Sequence, residues 1–293
     1  MSISAVINTY NEEKNIERCL LSVKDFADEI IVVDMHSSDK TVEIAKKYKA
    51  KVFQHEYTRY VEPARNFALS KATGDWIFLI DADEELSNTL KIELERIVKE
   101  NNSDFVKIPR KNIIFNKWIE HSRWWPDYLV RFFKNGKVKF SNEIHTPPQT
   151  EGKELVLGNE GQYAIVHHNF QSISQYIERL NRYSDIQSSE LIKNKYLFNW
   201  KDLLIKPSNE FFSRFFSGEG YKDGLHGFAL AVLQSLSEFT VYLKVWESGG
   251  FEERNMDEFP KTAQKVINDY LYWQQKITTN SFKKLIFKIK AKL

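Results

Sequence analysis

The length, composition and charge of the chain limit its class before any motif is considered. It has 293 residues, of which 42% are hydrophobic and 28% charged, which is typical of a globular protein and excludes a disordered one. A net charge of +2 gives no reason to expect nucleic-acid binding, and a single cysteine, Cys19, excludes an internal disulfide and indicates a reducing compartment. The chain begins directly with a strand-like segment and has no uninterrupted apolar run of roughly 18 residues, so we expect neither a signal peptide nor an obvious membrane-spanning helix.

Short apolar segments alternate with amphipathic segments over residues 3–100. We predict strands at residues 3–9, 29–33, 51–54 and 76–80. We predict four helices. The first runs from about residue 12 to 23, the second follows the polar turn after strand 29–33 and ends near residue 48, the third begins at residue 62, and the fourth runs from about residue 88 to 100. Strands that alternate with helices of this length are typical of βαβ units, which predicts a right-handed, mostly parallel α/β sheet.

The predicted strand at residues 76–80 is a continuous apolar run that ends in three acids, Asp81, Asp83 and Glu84. Such a run indicates a strand buried on both faces, and its carboxyl end is where open α/β sheets bind ligands. Because Asp81 and Asp83 are two residues apart, both can face one hard cation such as Mg²⁺ or Mn²⁺ in a tight turn. The alternative is a solvated loop that caps the following helix.

Two further polar residues, Thr9 and Asp34, also lie just past the carboxyl ends of predicted strands. This placement predicts one crevice along one edge of the sheet. The chain contains neither G-x-G-x-x-G nor G-x-x-x-x-G-K-[ST], which disfavours a dinucleotide fold and a P-loop. A nucleotide site built from acids, a metal and Arg65 remains.

Four segments resemble a known family: VINTYNEE, VVDMHSSDKT, EPARNFALSKATGDWIFLIDADE and HSRWWPDYLVRFF. Over roughly residues 3–247 the chain resembles the bacterial family 2 glycosyltransferases, and within them the lipopolysaccharide core glycosyltransferases. The resemblance implies a GT-A fold, which is a Rossmann-like, mostly parallel sheet, here with a C-terminal helical region. It also implies a nucleotide-sugar donor, a divalent cation and inversion at the anomeric carbon.

The same resemblance implies which residues bind the donor. They are Thr9, Tyr10, Glu12, Asp34, Asp39, Arg65 and Asp81. The first three match a nucleotide-contacting turn, Asp34 matches an acid near the base or ribose, and Arg65 matches a basic residue near the diphosphate. Two of these assignments have structural alternatives, because Asp39 could cap a helix and Arg65 could be a surface ion-pair partner.

The resemblance implies a metal site as well. Asp81 and Asp83 match the family's metal-binding pair, with Asp83 favoured as the direct ligand, and His167 matches a histidine of the subgroup. Imidazole can complete a Mn²⁺ shell or hydrogen-bond the diphosphate. The neighbouring His168 could serve instead, and a histidine satisfied in the core is the structural alternative.

Residues 105–170 form the predicted acceptor-binding half of the same domain, and residues 1–104 the nucleotide-sugar-binding half. The segment HSRWWPD followed by Arg131 combines aromatic and polar side chains, and aromatic faces can stack on sugar rings. The predicted acceptor-binding residues are His121, Trp124, Trp125 and Arg131. Because tryptophans also serve as core residues, we expect one of the pair to be buried and the other to line the cleft.

The general base is predicted from the need to take a proton from a sugar hydroxyl. The candidates are Asp127, Glu143 and His145. The subgroup carries His-Glu where this chain has His145-Thr146, so the usual acid is missing and either Glu143 or Asp127 must replace it. We favour Asp127.

Residues 171–293 are predicted to be helical and possibly to associate with a membrane. The aromatic segment 198–216 is either a helix pair packed on the catalytic domain or a membrane-facing hairpin. Residues 281–293 have apolar side chains on one helical face, lysines around it and no acid, which is typical of a helix that binds a membrane surface. The alternative is a frayed tail or one that contacts a second subunit.

Together these observations predict an inverting, metal-dependent hexosyl- or heptosyltransferase. Its donor is a nucleotide sugar, with a UDP-sugar favoured, and its acceptor a lipid-linked glycan such as lipopolysaccharide core or a similar cell-envelope glycan. It is expected in the cytoplasm, peripheral on the inner face of the cell membrane. The alternatives are a protein or peptide glycosyltransferase, a non-catalytic nucleotide-sugar-binding protein, and a nucleotidyltransferase.

Overall fold

The structure is a computed structural model that describes residues 1–58, 61–141 and 146–278. The described residues form two compact units. Unit 1 comprises residues 1–113 and 125–169, and unit 2 comprises residues 114–124 and the chain from residue 170 onward. The predicted functional division at residues 104 and 170 stays a prediction.

Unit 1 begins with four strands that alternate with helices. In chain order these are β1 (Ile3–Thr9), α1 (Ile16–Val23), β2 (Glu29–Asp34), α2 (Thr41–Lys47), β3 (Lys51–Gln54), α3 (Glu62–Leu69) and β4 (Trp76–Asp81). All four strands are parallel, in the order β3-β2-β1-β4. The predicted βαβ pattern is confirmed, although α1 begins four residues later than expected because Asn11 has a φ of 54° and residues 12–15 form a turn.

Mostly short strands follow, with one helix among them. They are β5 (Glu84–Glu85), α4 (Asn88–Glu100), β6 (Phe105–Ile114), β7 (Lys117–Trp118), β8 (Asp127–Lys134), β9 (Val138–Lys139), β10 (Gln149–Thr150), β11 (Glu154–Val156) and β12 (Ile165–Phe170). The sheet continues from β4 through β8, β6, β12 and β5, and the β4–β8, β8–β6 and β12–β5 pairs are antiparallel. The α/β class is therefore confirmed, with a parallel half and an antiparallel half in one sheet.

The strand β4 lies at the centre of the core of unit 1. Its five apolar residues, Trp76 to Ile80, are completely buried. Trp76, Phe78 and Ile80 pack on the α1 and α4 side, whereas Ile77 and Leu79 pack on the α3 side. Burial on both faces is the reason that the strand is an unbroken apolar run. The acids after it therefore start where the packed layer ends.

Unit 2 is mainly helical, as predicted for the C-terminal region. Its helices are α5 (Ile173–Lys193), α6 (Asp202–Phe212), α7 (Leu225–Ser248) and α8 (Phe259–Ile277). The aromatic residues that follow α6 pack among themselves and against α7 and α8: the Phe215 ring centroid lies 5.7 Å from Phe228, and Phe216 stacks on Trp273 at 6.1 Å. By length and composition α7 is the one helix in the described part of the chain that could span a membrane, a property that core helices can share.

Candidate active site

The carboxyl ends of the parallel strands bring the predicted donor residues together. Thr9 is the register partner of Asp34, and Asn8 is the partner of Asp81. Asp34 is buried and accepts hydrogen bonds from the backbone N–H and the hydroxyl of Ser37, at 3.0 and 2.5 Å. Polar groups therefore gather at this edge of the sheet, and the crevice that the sequence predicts there stays a prediction. Whether they bind a nucleotide stays a prediction.

Two loops at this edge are held together by side-chain hydrogen bonds. Asp39 accepts from the backbone N–H of Glu13 at 3.0 Å and from that of Thr41 at 2.9 Å, and Glu12 N–H donates to the Thr41 hydroxyl at 2.8 Å. Partial burial would raise the pKa of Asp39, but hydrogen bonds from the hydroxyl and backbone N–H of Thr41 and from the backbone N–H of Glu13 hold it below its usual range. Asp39 therefore ties the first loop to the start of α2, and its predicted contact with the donor stays a prediction.

An aromatic pair lies beside the first loop. The rings of Tyr10 and Tyr57 are tilted by 36°, with centroids 4.3 Å apart. Tyr10 is half-buried and Tyr57 is exposed, so the pair presents aromatic surface to solvent. The sequence suggested Tyr10 alone, because Tyr57 lies in an irregular segment with no strand or helix pattern to place it.

Two of the three acids at the end of β4, Asp81 and Glu84, belong to a ladder of alternating charges. Arg65 Nη2 lies 3.2 Å from Asp81 Oδ1, and Arg131 pairs closely with the other oxygen of Asp81. Arg131 also lies 3.3 Å from Glu84, and Glu84 lies 3.3 Å from Arg110. None of the acids caps α4, because the Ser87 hydroxyl accepts the cap hydrogen bond from Leu90 N–H at 3.2 Å.

Burial makes these ion pairs strong and mutually dependent. Glu84 is completely buried, and Arg131 is only 3% exposed. Burial alone would raise the pKa of Asp81, but Arg131 and Arg65 lower it well below its usual range. Arg131 pairs with both Asp81 and Glu84. Its predicted role in acceptor binding stays a prediction. Arg65 is buried rather than a surface residue, so the surface ion-pair alternative is wrong.

Asp83 faces His167 at the end of β12. His167 Nε2 lies 3.3 Å from Asp83 Oδ2, and the backbone N–H of His168 donates to the Asp83 carbonyl at 2.9 Å. His168 instead directs its ring to Glu85, 3.3 Å away, and burial lowers its pKa. Of the two imidazole rings, that of His167 lies against the Asp83 carboxylate and that of His168 against Glu85; a role for either in metal or diphosphate binding stays a prediction.

Asp83 and His167 form a hydrogen-bonded pair whose spacing would also suit two ligands of one cation, and the metal site stays a prediction. Adjacent ligands at about 2.1 Å from an octahedral ion lie about 3 Å apart, close to the 3.3 Å separation here. An imidazole nitrogen and a carboxylate oxygen are both donors that Mn²⁺ accepts. Within the described ranges no group of three or more His, Cys, Asp and Glu side chains is placed to hold a metal, so further ligands would come from the donor or from water.

Asp127, at the start of β8, is held from one side only. Arg110 donates to its Oδ2 at 2.8 Å from Nε and 2.6 Å from Nη2, and Asn112 Nδ2 lies 3.4 Å from the same oxygen. In the described part of the chain Oδ1 accepts no hydrogen bond, and the side chain is 28% exposed. Asp127 thus offers one carboxylate oxygen for a proton. The other two base candidates, Glu143 and His145, lie outside the described residues.

Unit 2 contains His121 and Trp124. His121 Nδ1 lies 3.2 Å from Asp223 Oδ1, and the buried Asp223 also accepts from the His121 backbone N–H at 3.0 Å. The guanidinium of Arg214 lies 5.5 Å from the ring centre of Trp124. Trp124 and the unit 1 residue Trp125 are both half-buried, so the expectation of one buried tryptophan is wrong.

Sequence patterns missed several polar residues that the structure places in the site of unit 1. Arg110 and Asn112 lie two residues apart on β6, so their side chains point to the same face, and Arg110 is the register partner of Asp127. The strand also carries Lys107 and Lys111, so the spacing of Arg110 and Asn112 did not set the two apart in the sequence. Glu84 gave no signal either, because nothing in the sequence indicates that it is buried.

Comparison with known proteins places the chain among glycosyltransferases. The sequence profile described as Glycosyl transferase family 2 matches residues 4–151. An uncharacterized glycosyltransferase of Rickettsia conorii is 32% identical over 259 residues, covering 84% of this chain and 90% of that protein. The glycosyltransferase SunS of Bacillus phage SPbeta is 28% identical over 200 residues, covering 66% of this chain and 45% of SunS.

Two solved structures show a more distant similarity to this chain. Residues 1–349 of S. aureus TarS share 18% identity at a TM-score of 0.44, covering 93% of this chain and 81% of that one. The glucosyl-3-phosphoglycerate synthase of Mycobacterium tuberculosis, solved with Mn²⁺ and UDP-glucose, shares 24% identity at a TM-score of 0.34, covering 37% and 43%. The family profile spans β1 to β10, which carry every donor-side residue described above except His167.

Proposed function

The chain belongs to glycosyltransferase family 2, and from this premise we propose that it moves one sugar, with inversion, from a UDP-sugar to a hydroxyl of a lipid-linked glycan. It is a nucleotide-sugar glycosyltransferase with the α/β GT-A fold and C-terminal helices. The sugar class that we propose is a hexose or heptose. The acceptor that we propose is a cell-envelope glycan of the lipopolysaccharide core type.

The proposal rests on one observation: the Asp83–His167 pair and the carboxylate of Asp127 lie on either side of β6 in unit 1, since His167 is on β12, Asp127 is on β8, and both strands pair with β6. Asp83 and His167 are 3.3 Å apart, and Asp127 keeps Oδ1 unengaged by any described residue. Asn112 lies within hydrogen-bonding distance of both His167 and Asp127. A leaving group and an attacking hydroxyl need these two functions a short distance apart.

Several unsatisfied polar atoms support a nucleotide diphosphate at the sheet edge. In the described part of the chain Thr9 Oγ1 and Arg65 Nη1 are buried without a hydrogen-bond partner. Buried polar groups normally have a hydrogen-bond partner, and leaving one unpaired destabilises the protein. A ligand that donates a hydrogen bond to the Thr9 hydroxyl and places an anionic oxygen at Arg65 Nη1 would remove this penalty. The tyrosine pair at residues 10 and 57 offers a face for a base, and a carboxylate such as Asp34 suits the imide N–H of uracil.

The chemistry that we assign to the chain is a single displacement. Asp127 Oδ1 takes the proton from the acceptor hydroxyl as its oxygen bonds to the anomeric carbon, and the bond from that carbon to the diphosphate breaks with its electron pair. Arg65 Nη1 stabilises the charge that develops on the leaving diphosphate. A divalent cation, when bound by Asp83 and His167, supplies further charge neutralisation to the diphosphate. Attack from the face opposite the leaving group inverts the anomeric carbon.

A membrane location fits an exposed apolar stripe on α7. Leu225, Phe228, Val232 and Leu236 follow one another at helical spacing and are 42 to 79% exposed. The basic amphipathic segment 281–293 was predicted to bind a membrane surface and lies outside the described residues. An apolar stripe and a basic tail are the two features that hold peripheral proteins at an anionic leaflet. We therefore assign the protein to the cytoplasmic face of the cell membrane, where lipid-linked glycans are accessible.

The test is a panel of nucleotide sugars assayed for stabilisation and turnover. UDP-, GDP-, ADP- and CMP-sugars are each added with and without Mn²⁺, and the melting temperature is followed. We expect stabilisation by a UDP-sugar that depends on Mn²⁺ and is lost in Asp83→Ala. Release of nucleoside diphosphate with a lipid-linked glycan then confirms transfer. Turnover only with a peptide, binding without turnover, or release of pyrophosphate would each contradict the proposal in favour of one of its alternatives.

A further inference from the structure

We propose that Asn112 is a positioning residue that sets the His167 tautomer and the Asp127 orientation with one side-chain amide. This inference rests on the proposed function, in which His167 helps to hold the cation and Asp127 is the base. Asn112 lies on β6 and is completely buried. Its amide lies between the two side chains that have the most direct parts in the reaction.

The chemistry of its neighbours determines which way the amide faces. A carboxylate can only accept, so the NH₂ group must face Asp127, whose Oδ2 is 3.4 Å from Nδ2. The amide oxygen then faces His167, with Oδ1 2.7 Å from Nδ1. An amide oxygen can only accept, so Nδ1 of His167 must carry the proton.

This proton placement has a direct consequence for the other ring nitrogen. With Nδ1 protonated, the neutral imidazole directs the lone pair of Nε2 toward Asp83 Oδ2, 3.3 Å away. Two acceptors at this distance repel unless a proton or a metal cation lies between them, so the site suits a cation that replaces a proton at Nε2. Asn112 therefore prepares His167 as a cation ligand, in the way that a hydrogen bond to the second ring nitrogen commonly orients a metal-binding histidine.

The donor end of the same amide acts on Asp127. Asn112 and Arg110 both engage Oδ2, so the carboxylate is held through that oxygen, and Oδ1 accepts no hydrogen bond from the described residues. The two ends of Asn112 thus have separable effects: the oxygen serves the cation site, and the NH₂ group serves the base. A residue that only fills a buried polar position would not divide its effects in this way.

Two substitutions separate the ends of the amide. Asn112→Leu keeps the approximate size and removes both ends, whereas Asn112→Asp keeps an acceptor toward His167 and removes the donor toward Asp127. The matched control is Asn135→Leu, because among the described residues the Asn135 amide donates to two backbone carbonyls at the opposite end of β8, those of Ala72 at 3.3 Å and Gly74 at 3.2 Å.

The measurements are the His167 tautomer and the Mn²⁺ affinity. Long-range ¹⁵N–¹H NMR of the metal-free protein, with His167→Gln to assign the signals, reports which nitrogen is protonated. Calorimetry with Mn²⁺ and UDP reports affinity. We expect the Nδ1–H tautomer in wild type, N112D and N135L, and its loss in N112L together with about a 10- to 100-fold weaker Mn²⁺ affinity. N112D should keep Mn²⁺ affinity within about threefold but lose at least about tenfold in kcat.

Each outcome supports or overturns the inference. An unchanged tautomer and Mn²⁺ affinity in N112L overturn it, and so does N112D if it loses Mn²⁺ affinity as N112L does, or if it keeps full kcat. If N112L does not fold, two measurements still test the inference: the His167 tautomer in wild type, and whether N112D loses kcat while it keeps its Mn²⁺ affinity. If wild type binds no Mn²⁺, the proposed function fails at its cation site, whereas the metal-free NMR result still judges the contact between Asn112 and His167.

Discussion

Removal of Arg131 should destabilise the protein strongly, because this side chain holds two buried acids. Arg131 is 3% exposed, pairs with Asp81 and lies 3.3 Å from the completely buried Glu84. At an effective dielectric constant of about 20, unit charges 3.3 Å apart attract by about 5 kcal/mol. Breaking a buried pair by deleting one partner typically costs about 3–5 kcal/mol, because a charge remains unpaired. We expect Arg131→Met to lose about that much, since Arg65 and Arg110 still compensate the acids in part.

The free energy of unfolding that Arg131→Met loses should depend on pH in a defined direction. The Arg131 and Arg65 charges hold the pKa of Asp81 well below its usual range, so ionised Asp81 stabilises the folded state above the unfolded pKa of about 3.9. This contribution is lost as the pH falls below about 4 toward the folded pKa. The difference between wild type and Arg131→Met should therefore be full at pH 7 and narrow below about pH 4.

The assay is urea unfolding followed by tryptophan fluorescence, at neutral pH and at acidic values down to about pH 3. The matched control is Arg96→Met: Arg96 also pairs with two acids, Glu93 and Glu100, but on the exposed surface of α4, and its loss should have little effect. Two results would contradict this reasoning. One is that Arg131→Met is no more destabilising than Arg96→Met, and the other is that the difference in unfolding free energy between wild type and Arg131→Met does not change with pH.

Three other outcomes are expected. Asp127→Asn should abolish transfer while UDP-sugar binding, measured by calorimetry, stays near that of wild type, and turnover within about tenfold of wild type would rule Asp127 out as the base. His167→Ala should weaken Mn²⁺ binding in calorimetry by at least about tenfold, whereas His168→Ala, whose ring faces Glu85, should change it by less than about threefold; equal effects would remove the distinction between the two histidines. Deletion of residues 281–293 should reduce co-sedimentation with anionic vesicles, and unchanged binding would leave α7 as the sole support for a membrane location.

The parallel half of the sheet was predictable because its signals are local. An apolar run such as residues 76–80 is apolar throughout because both of its faces are covered, and that property is visible without any neighbour. The carboxyl ends of parallel strands meet at one edge by geometry, so Thr9, Asp34 and Asp81 could be grouped in advance. The predicted start of the first helix at about residue 12 was wrong, because the turn at Asn11 depends on hydrogen bonds with Ser37 and Ser38, which are distant in the sequence.

The antiparallel half was less predictable because its strands pair over long separations in the chain. The sequence indicated only the fragments 105–108 and 128–133, whereas the strands run over Phe105–Ile114 and Asp127–Lys134. Their register places Arg110 opposite Asp127. No local pattern specifies that register, because it depends on how two distant segments pack side by side.

The sequence by itself determined the α/β class, the family and the edge of the sheet where the acids lie, since these follow from periodicity and from motifs of adjacent residues. Only the tertiary structure decided that His167 rather than His168 faces Asp83, that Arg131 and Arg65 clamp Asp81, and that Asn112 joins His167 to Asp127. Each of these contacts joins residues at least 15 positions apart in the chain. A charge or hydrogen bond between such residues exists only once folding has brought their strands together in one register, so no local pattern could have shown it.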